Sequence, residues 1–100
     1  MHITFSIAAL VLMNACSRSH YPRINSPRPL TATETHIVDI AWQVVSTNET
    51  WVEKAEFQLP QYRADSTWSI TVWRLPKEPG GFRDITINTN GMVREYYRGH

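Results

Sequence analysis

One cysteine, four histidines and nine carboxylates are the groups with which this chain of 100 residues could do chemistry. Three of the histidines are poorly placed for it: His2 and His20 fall before the first structured pattern, and His100 is the last residue. His36 and Asp39 sit one helical turn apart. They could form a general-base pair, or simply a solvated pair on a helix's polar face. The chain has no glycine-rich phosphate loop, no Gly-x-Ser-x-Gly elbow, no His-Glu-x-x-His and no cysteine cluster. Glu53 and Glu56 have opposite parity in a strand, so they do not converge. Glu49, Asp65, Glu78 and Asp84 are scattered through loops and strand ends, where carboxylates ordinarily serve solubility. Asn48-Glu49-Thr50 matches a glycosylation acceptor, which matters only in a eukaryotic secretory route. These residues predict a protein that is not an enzyme and takes no metal or cofactor.

Cys16 is different, because of what precedes it. From Ile3 to Ala15 the chain carries no charge and is apolar apart from Thr4, Ser6 and Asn14. A bilayer-spanning helix needs about 20 such residues, so this run is too short to span. An apolar core of roughly 7–15 residues closed by a small residue is the pattern of a secretory signal peptide. The other reading is a buried helix, with Cys16 as a small core residue. A lone cysteine forms no intramolecular disulfide, and in an exported protein it wants an explanation.

The closing residues Leu12-Met13-Asn14-Ala15-Cys16 resemble the lipobox of bacterial lipoproteins. They depart from it in the polar Asn14 and in an n-region holding only the terminal amine and His2. The resemblance implies that residues 1–15 are a signal peptide, that Cys16 is the acylated first mature residue, and that the protein is anchored to a membrane by that lipid. Ser17 is not aspartate, which in the enteric type of lipoprotein implies delivery to the outer membrane, facing the periplasm.

Residues 16–30 follow as a spacer. Ser17 to Leu30 holds three of the six prolines and three arginines with no apolar period. In an extended, polyproline-like form, fourteen residues reach roughly 40 Å. Arg18, Arg23 and Arg28 could also meet anionic headgroups or another envelope polymer. Ten Lys plus Arg against nine Asp plus Glu give a net charge of +1, which argues against a nucleic-acid partner.

Residues 31–100 read as one small α+β domain. Thr31-Ala32-Thr33-Glu34 is a capping box that starts a helix. Ile37, Val38, Ile40, Ala41, Trp42, Val44 and Val45 fall on one arc of it. The helix pattern fades at Ser46-Thr47-Asn48, with Asn48 a candidate for a left-handed terminal position. Val52 to Leu59, closed by Pro60, and Thr67 to Leu75, closed by Pro76, alternate as strands. Phe82 to Asn88 and Met92 to Arg98 form a hairpin. A three-residue loop with Gly91 left-handed pairs Ile87 with Val93, which puts Ile85, Ile87, Val93 and Tyr97 towards the helix and Asp84, Thr86, Arg94 and Tyr96 outward. The expected fold is one N-terminal helix packed on an antiparallel meander of three to four strands, a two-layer sandwich.

This order, with the closing pattern Ile85-x-Ile87-x-x-x-Gly91-x-Val93-x-x-Tyr96, resembles the PepSY-like and cystatin-like small domains of bacterial envelope proteins. The resemblance implies a non-catalytic domain that binds or inhibits an envelope protein partner.

Parity supplies a candidate site. If Trp68, Ile70 and Val72 pack under the helix, Trp73 faces away beside Thr71, and Arg94 and Tyr96 join it. An exposed tryptophan beside arginine and tyrosine has the composition of a binding hot spot; the alternative is that the loop from Pro76 to Phe82 covers Trp73. The functional expectation is therefore a lipid-anchored envelope protein with a binding face on the sheet. The other class is a small exported hydrolase or immunity-type protein with its site around His36 and Asp39. A structural subunit pairing through an edge strand, Val52 to Leu59 or Met92 to Arg98, is a third.

Overall fold

The computed structural model describes residues 22–99. The apolar run from Ile3 to Ala15 and Cys16 lie outside the described residues. The fold is α+β: one long helix lies on one face of a mixed six-stranded sheet.

Helix α1, Ala32–Asn48, begins where the sequence places it. Thr31 Oγ1 accepts from the Glu34 backbone N–H at 3.1 Å, and Glu34 Oε1 accepts from the Thr31 N–H at 2.8 Å. Arg28 grips the same carboxylate in a fork, with nitrogen–oxygen distances of 2.8 and 2.7 Å. This fork, followed by the Thr31 N–H, lowers the Glu34 pKa from 4.5 to about 2. The helix runs on through Ser46-Thr47-Asn48, where each side chain donates to the carbonyl four residues back, at 2.6, 2.9 and 2.8 Å, so these polar groups are satisfied within the helix. It ends at Glu49 in extended backbone, φ −131. Asn48 is still helical, so the left-handed ending does not occur.

The strands are β1 (Arg23–Asn25), β2 (Ala55–Gln58), β3 (Gln61–Arg63), β4 (Thr67–Arg74), β5 (Phe82–Asn88) and β6 (Val93–Arg98), with a 3-10 turn at Val52–Lys54. The sheet order is β1-β2-β4-β5-β6, with β3 also on β4. Two strands are additional to the expected meander. β1 comes from the stretch read as spacer and pairs parallel to β2, Ile24 opposite Phe57. The sheet is therefore mixed, and the described domain starts before Thr31. β3 shares one edge of β4 with β2: Phe57 opposes Val72, and Gln61 opposes Ser69. Pro60 between them has no N–H for a ladder, which divides one stretch of chain into two strands. With β1 beside it, β2 is an interior strand rather than an edge.

The core lies between α1 and the inner sheet face. Ile37, Val38, Ala41 and Val45 meet Ala55, Phe57, Ile70, Val72, Ile85 and Ile87, all of them buried. Ile24, Ile40, Trp42 and Trp68 pack at its margin. Because Ile24 packs there, Ile24→Asp is expected to lower stability by about 1–2 kcal/mol, the scale for one partly buried aliphatic side chain. A urea melt checks this, and a wild-type midpoint would place β1 outside the cooperative unit.

The β5–β6 hairpin has the expected loop. Ile87 opposes Val93, and Gly91 has φ +90, a conformation that favours glycine. One step further the register departs from simple alternation. Ile85 opposes Tyr96, so two residues along β5 match three along β6, and Arg94 is the extra one. This bulge reverses the parity of everything after it. Tyr96 packs against the core, and Tyr97 opposes Asp84 on the outer face. The expected placements of Tyr96 and Tyr97 are thus exchanged.

Candidate functional site

The outer face of the sheet, opposite α1, is the candidate site. Strand alternation brings one row from each cross-strand register onto it. Trp73 opposes Glu56 on β2 and Phe82 on β5. Thr71 opposes Asp84, which opposes Tyr97. Ser69 lies between Gln61 and Thr86, and Thr86 opposes Glu95. Thr67 lies between Arg63 and Asn88.

Two hollows adjoin on this face. The larger, about 660 Å³, is lined by side chains of β3, β4, β5, β6 and the β3–β4 turn, including Arg63, Asp65, Asp84, Arg94, Glu95 and Tyr97. The smaller, about 280 Å³, is lined by Gln58, Leu59, Gln61, Thr71 and Trp73. Ser69 lines both. Thr71 Oγ1 donates to Asp84 Oδ1 at 2.6 Å, joining the wall of one hollow to that of the other. Asp65 accepts from Thr67 Oγ1 at 2.6 Å, and this bond, with the positive charges of Arg63 and Arg94, lowers its pKa.

Of the four residues expected to form the site, Trp73, Thr71 and Arg94 lie on this face, but they do not form a single patch. Trp73 and Thr71 line the smaller hollow and Arg94 the larger. Trp73 is half-buried, its ring 5.2 Å from that of Phe82 and 5.8 Å from Lys77 Nζ. Lys77 also pairs with Glu56 at 2.9 Å, which lowers the Glu56 pKa. The loop after β4 therefore covers part of the tryptophan.

Tyr96, the fourth, belongs to a cluster on the helix side. Its hydroxyl donates to Glu49 Oε2 at 2.7 Å, where Arg83 Nε at 2.8 Å and Arg98 Nε at 3.1 Å also donate. The Arg83 guanidinium stands 5.2 Å from the Trp51 ring. The Arg83 bond first, then Tyr96 and Arg98, lower the Glu49 pKa from 4.5 to about 2. Burial, followed by the hydrogen bond to Glu49 and then its charge, raises the Tyr96 pKa from 10.0 to about 12. The cluster fastens the end of α1 to β5 and β6. Glu49 is thus a structural hub, not a scattered surface carboxylate. The only sequence signal for it is its place directly after the helix.

His36 and Asp39 are exposed on α1, away from this face. His36 Nε2 lies over the hairpin loop, 3.8 Å from where a Cβ on Gly91 would stand. Neither side chain makes a hydrogen bond or ion pair among the described residues. Among those residues no group of three His, Cys, Asp or Glu is placed to hold a metal ion, and no helix is long and apolar enough to cross a membrane. The outer face thus offers hydroxyl, amide, carboxylate and guanidinium groups for hydrogen bonding, with an aromatic ring in each hollow, Tyr97 in the larger and Trp73 in the smaller. Comparisons with protein-family models, with curated proteins and with solved structures found no match.

Proposed function

We propose that this chain is a non-catalytic protein of a bacterial envelope, held at the membrane by a lipid on Cys16, whose α+β domain binds or inhibits an envelope partner through the outer sheet face. One observation carries the binding part: α1 covers a single face of the sheet, and the other bears two adjoining polar hollows that include Trp73, Thr71 and Arg94. The anchor rests on the uncharged run ending in Leu12-Met13-Asn14-Ala15-Cys16. Ser17, the residue after Cys16, is not aspartate, which in the enteric type of lipoprotein favours the outer membrane, with the domain on its periplasmic side.

Mass spectrometry of the mature protein tests the anchor. The expected species begins at an acylated Cys16, and Cys16→Ser moves the protein from the membrane fraction to the soluble one. An N-terminus at Met1, or cleavage away from Ala15, would sink the anchor. Crosslinking in cells tests the face. Trp73→Ala, at a modest cost in melting temperature because the ring is half-buried, is expected to abolish recovery of the partner. Unchanged recovery would mean that the partner binds elsewhere.

A further inference from the structure

The larger hollow has a composition that narrows what it can hold. Its charged side chains are two arginines, Arg63 and Arg94, and three carboxylates, Asp65, Asp84 and Glu95. The two signs nearly balance and interleave. A polyanion placed there meets the carboxylates, and a polycation meets the arginines. Ligand sites for apolar small molecules have a similar size, roughly 300–1,000 Å³, but mainly apolar walls, and this hollow is polar.

Its hydrogen-bonding capacity is largely unspent. The side chains of Arg63, Arg94, Glu95, Ser69 and Thr86 make no hydrogen bond or ion pair among the described residues. Asp65 and Asp84 each spend Oδ1 on a neighbouring threonine. The free groups are therefore guanidinium donors, carboxylate acceptors and hydroxyls that do either, side by side. A ligand that satisfies them must present donors and acceptors at close intervals without net charge. A chain of sugar hydroxyls does this, since each hydroxyl offers one donor and two acceptors. The two hollows, joined at Ser69, extend roughly 20 Å along β4 from Thr67 to Trp73. Tyr97 stands in one and Trp73 in the other, and flat rings of this kind pack against the C–H faces of a sugar.

From this lining we infer that the outer sheet face binds an uncharged, hydroxyl-rich oligosaccharide, seated in the larger hollow by Arg63, Arg94, Asp84 and Glu95 and continuing towards Trp73. The inference rests on the outer-face reading above and names the chemical class of the partner.

The test titrates the full chain with chitohexaose, cellohexaose and maltohexaose, and with a peptide of alternating lysine and glutamate as the charged comparator. Binding is followed by tryptophan fluorescence and amide chemical shifts. At least one sugar is expected to bind at millimolar concentration or below, with shifts confined to β3–β6. Raising the salt concentration leaves a neutral ligand's affinity unchanged, whereas it weakens a charged one. Arg63→Ala and Arg94→Ala, at exposed positions without bonded partners, are each expected to weaken sugar binding about tenfold, the loss of one charge-assisted hydrogen bond, with an unchanged melting temperature. Failure of all three sugars to shift outer-face amides overturns the inference, as does salt-sensitive binding of the peptide there instead. If the sugars fail while Trp73→Ala still abolishes partner recovery, only the ligand class falls. If Trp73→Ala also has no effect, the outer-face reading falls with it.

Discussion

Glu49→Ala is expected to destabilise the domain by about 3 kcal/mol, the lower end of what breaking a buried ion pair costs. Three donors converge on one oxygen of Glu49, but they do not count equally. Arg98 is 59% exposed and adds little in water. Arg83 decides the effect: its side chain is 12% exposed and that of Glu49 is 10%, so removing the carboxylate strands a poorly hydrated guanidinium. For a domain of this size, such a loss lowers the melting temperature by roughly 15 °C. Thermal melts followed by circular dichroism check it, and a fall below about 5 °C would show that Arg83 finds water or another acceptor.

The same cluster sets a pH dependence with a definite sign. Folding lowers the Glu49 pKa from 4.5 to about 2. Its contribution is therefore full above pH 4.5 and is lost as the pH falls towards 2. Glu34 titrates over the same window, so Glu49→Gln reduces the acid limb of the stability curve without removing it. Tyr96 works in the other direction. Folding raises its pKa from 10.0 to about 12, so its contribution is full below pH 10 and is lost between 10 and 12. Tyr96→Phe is expected to flatten that alkaline limb.

Phe57→Ala has the largest expected effect, about 3–5 kcal/mol. Phe57 is fully buried and lies between Ile24 on β1 and Val72 on β4, so its removal leaves a cavity enclosed on both sides along the sheet. A small domain is stable by only about 5–15 kcal/mol, so a loss of this size removes a large fraction of that margin. Chemical denaturation measures it. A loss near 1 kcal/mol, the typical cost of an average point mutation, would mean that β1 does not close over Phe57. Phe57→Leu, which keeps most of the volume, is expected to lose far less.

Much of this architecture follows from local chemistry. The capping box is a contract between residues three apart, and Thr31 and Glu34 honour it. The parity of β4 separates Trp68, Ile70 and Val72 from Trp73, because alternate side chains point to opposite faces of any strand. Gly91 permits the positive φ that the three-residue hairpin loop requires, which pairs Ile87 with Val93. Three of the four expected site residues are on the outer face for these reasons.

What the tertiary structure decided involves partners distant in sequence. Arg23-Ile24-Asn25 is too short and too proline-flanked to announce a strand; it becomes one because β2 offers an unpaired edge after α1 has crossed the sheet. No residue type marks the bulge at Arg94, which arises from matching β6 to β5 while placing Tyr96 under the helix end. That one extra residue exchanges Tyr96 with Tyr97, sending the first to Glu49 and the second to the outer hollow. Glu49, Arg83, Tyr96 and Arg98 are separated by up to 49 positions, and only the packed sheet brings their charges within reach. Local sequence thus determined which elements form and which way their side chains alternate. Long-range pairing determined which face each tyrosine occupies, and with it the shape and charge of the candidate site.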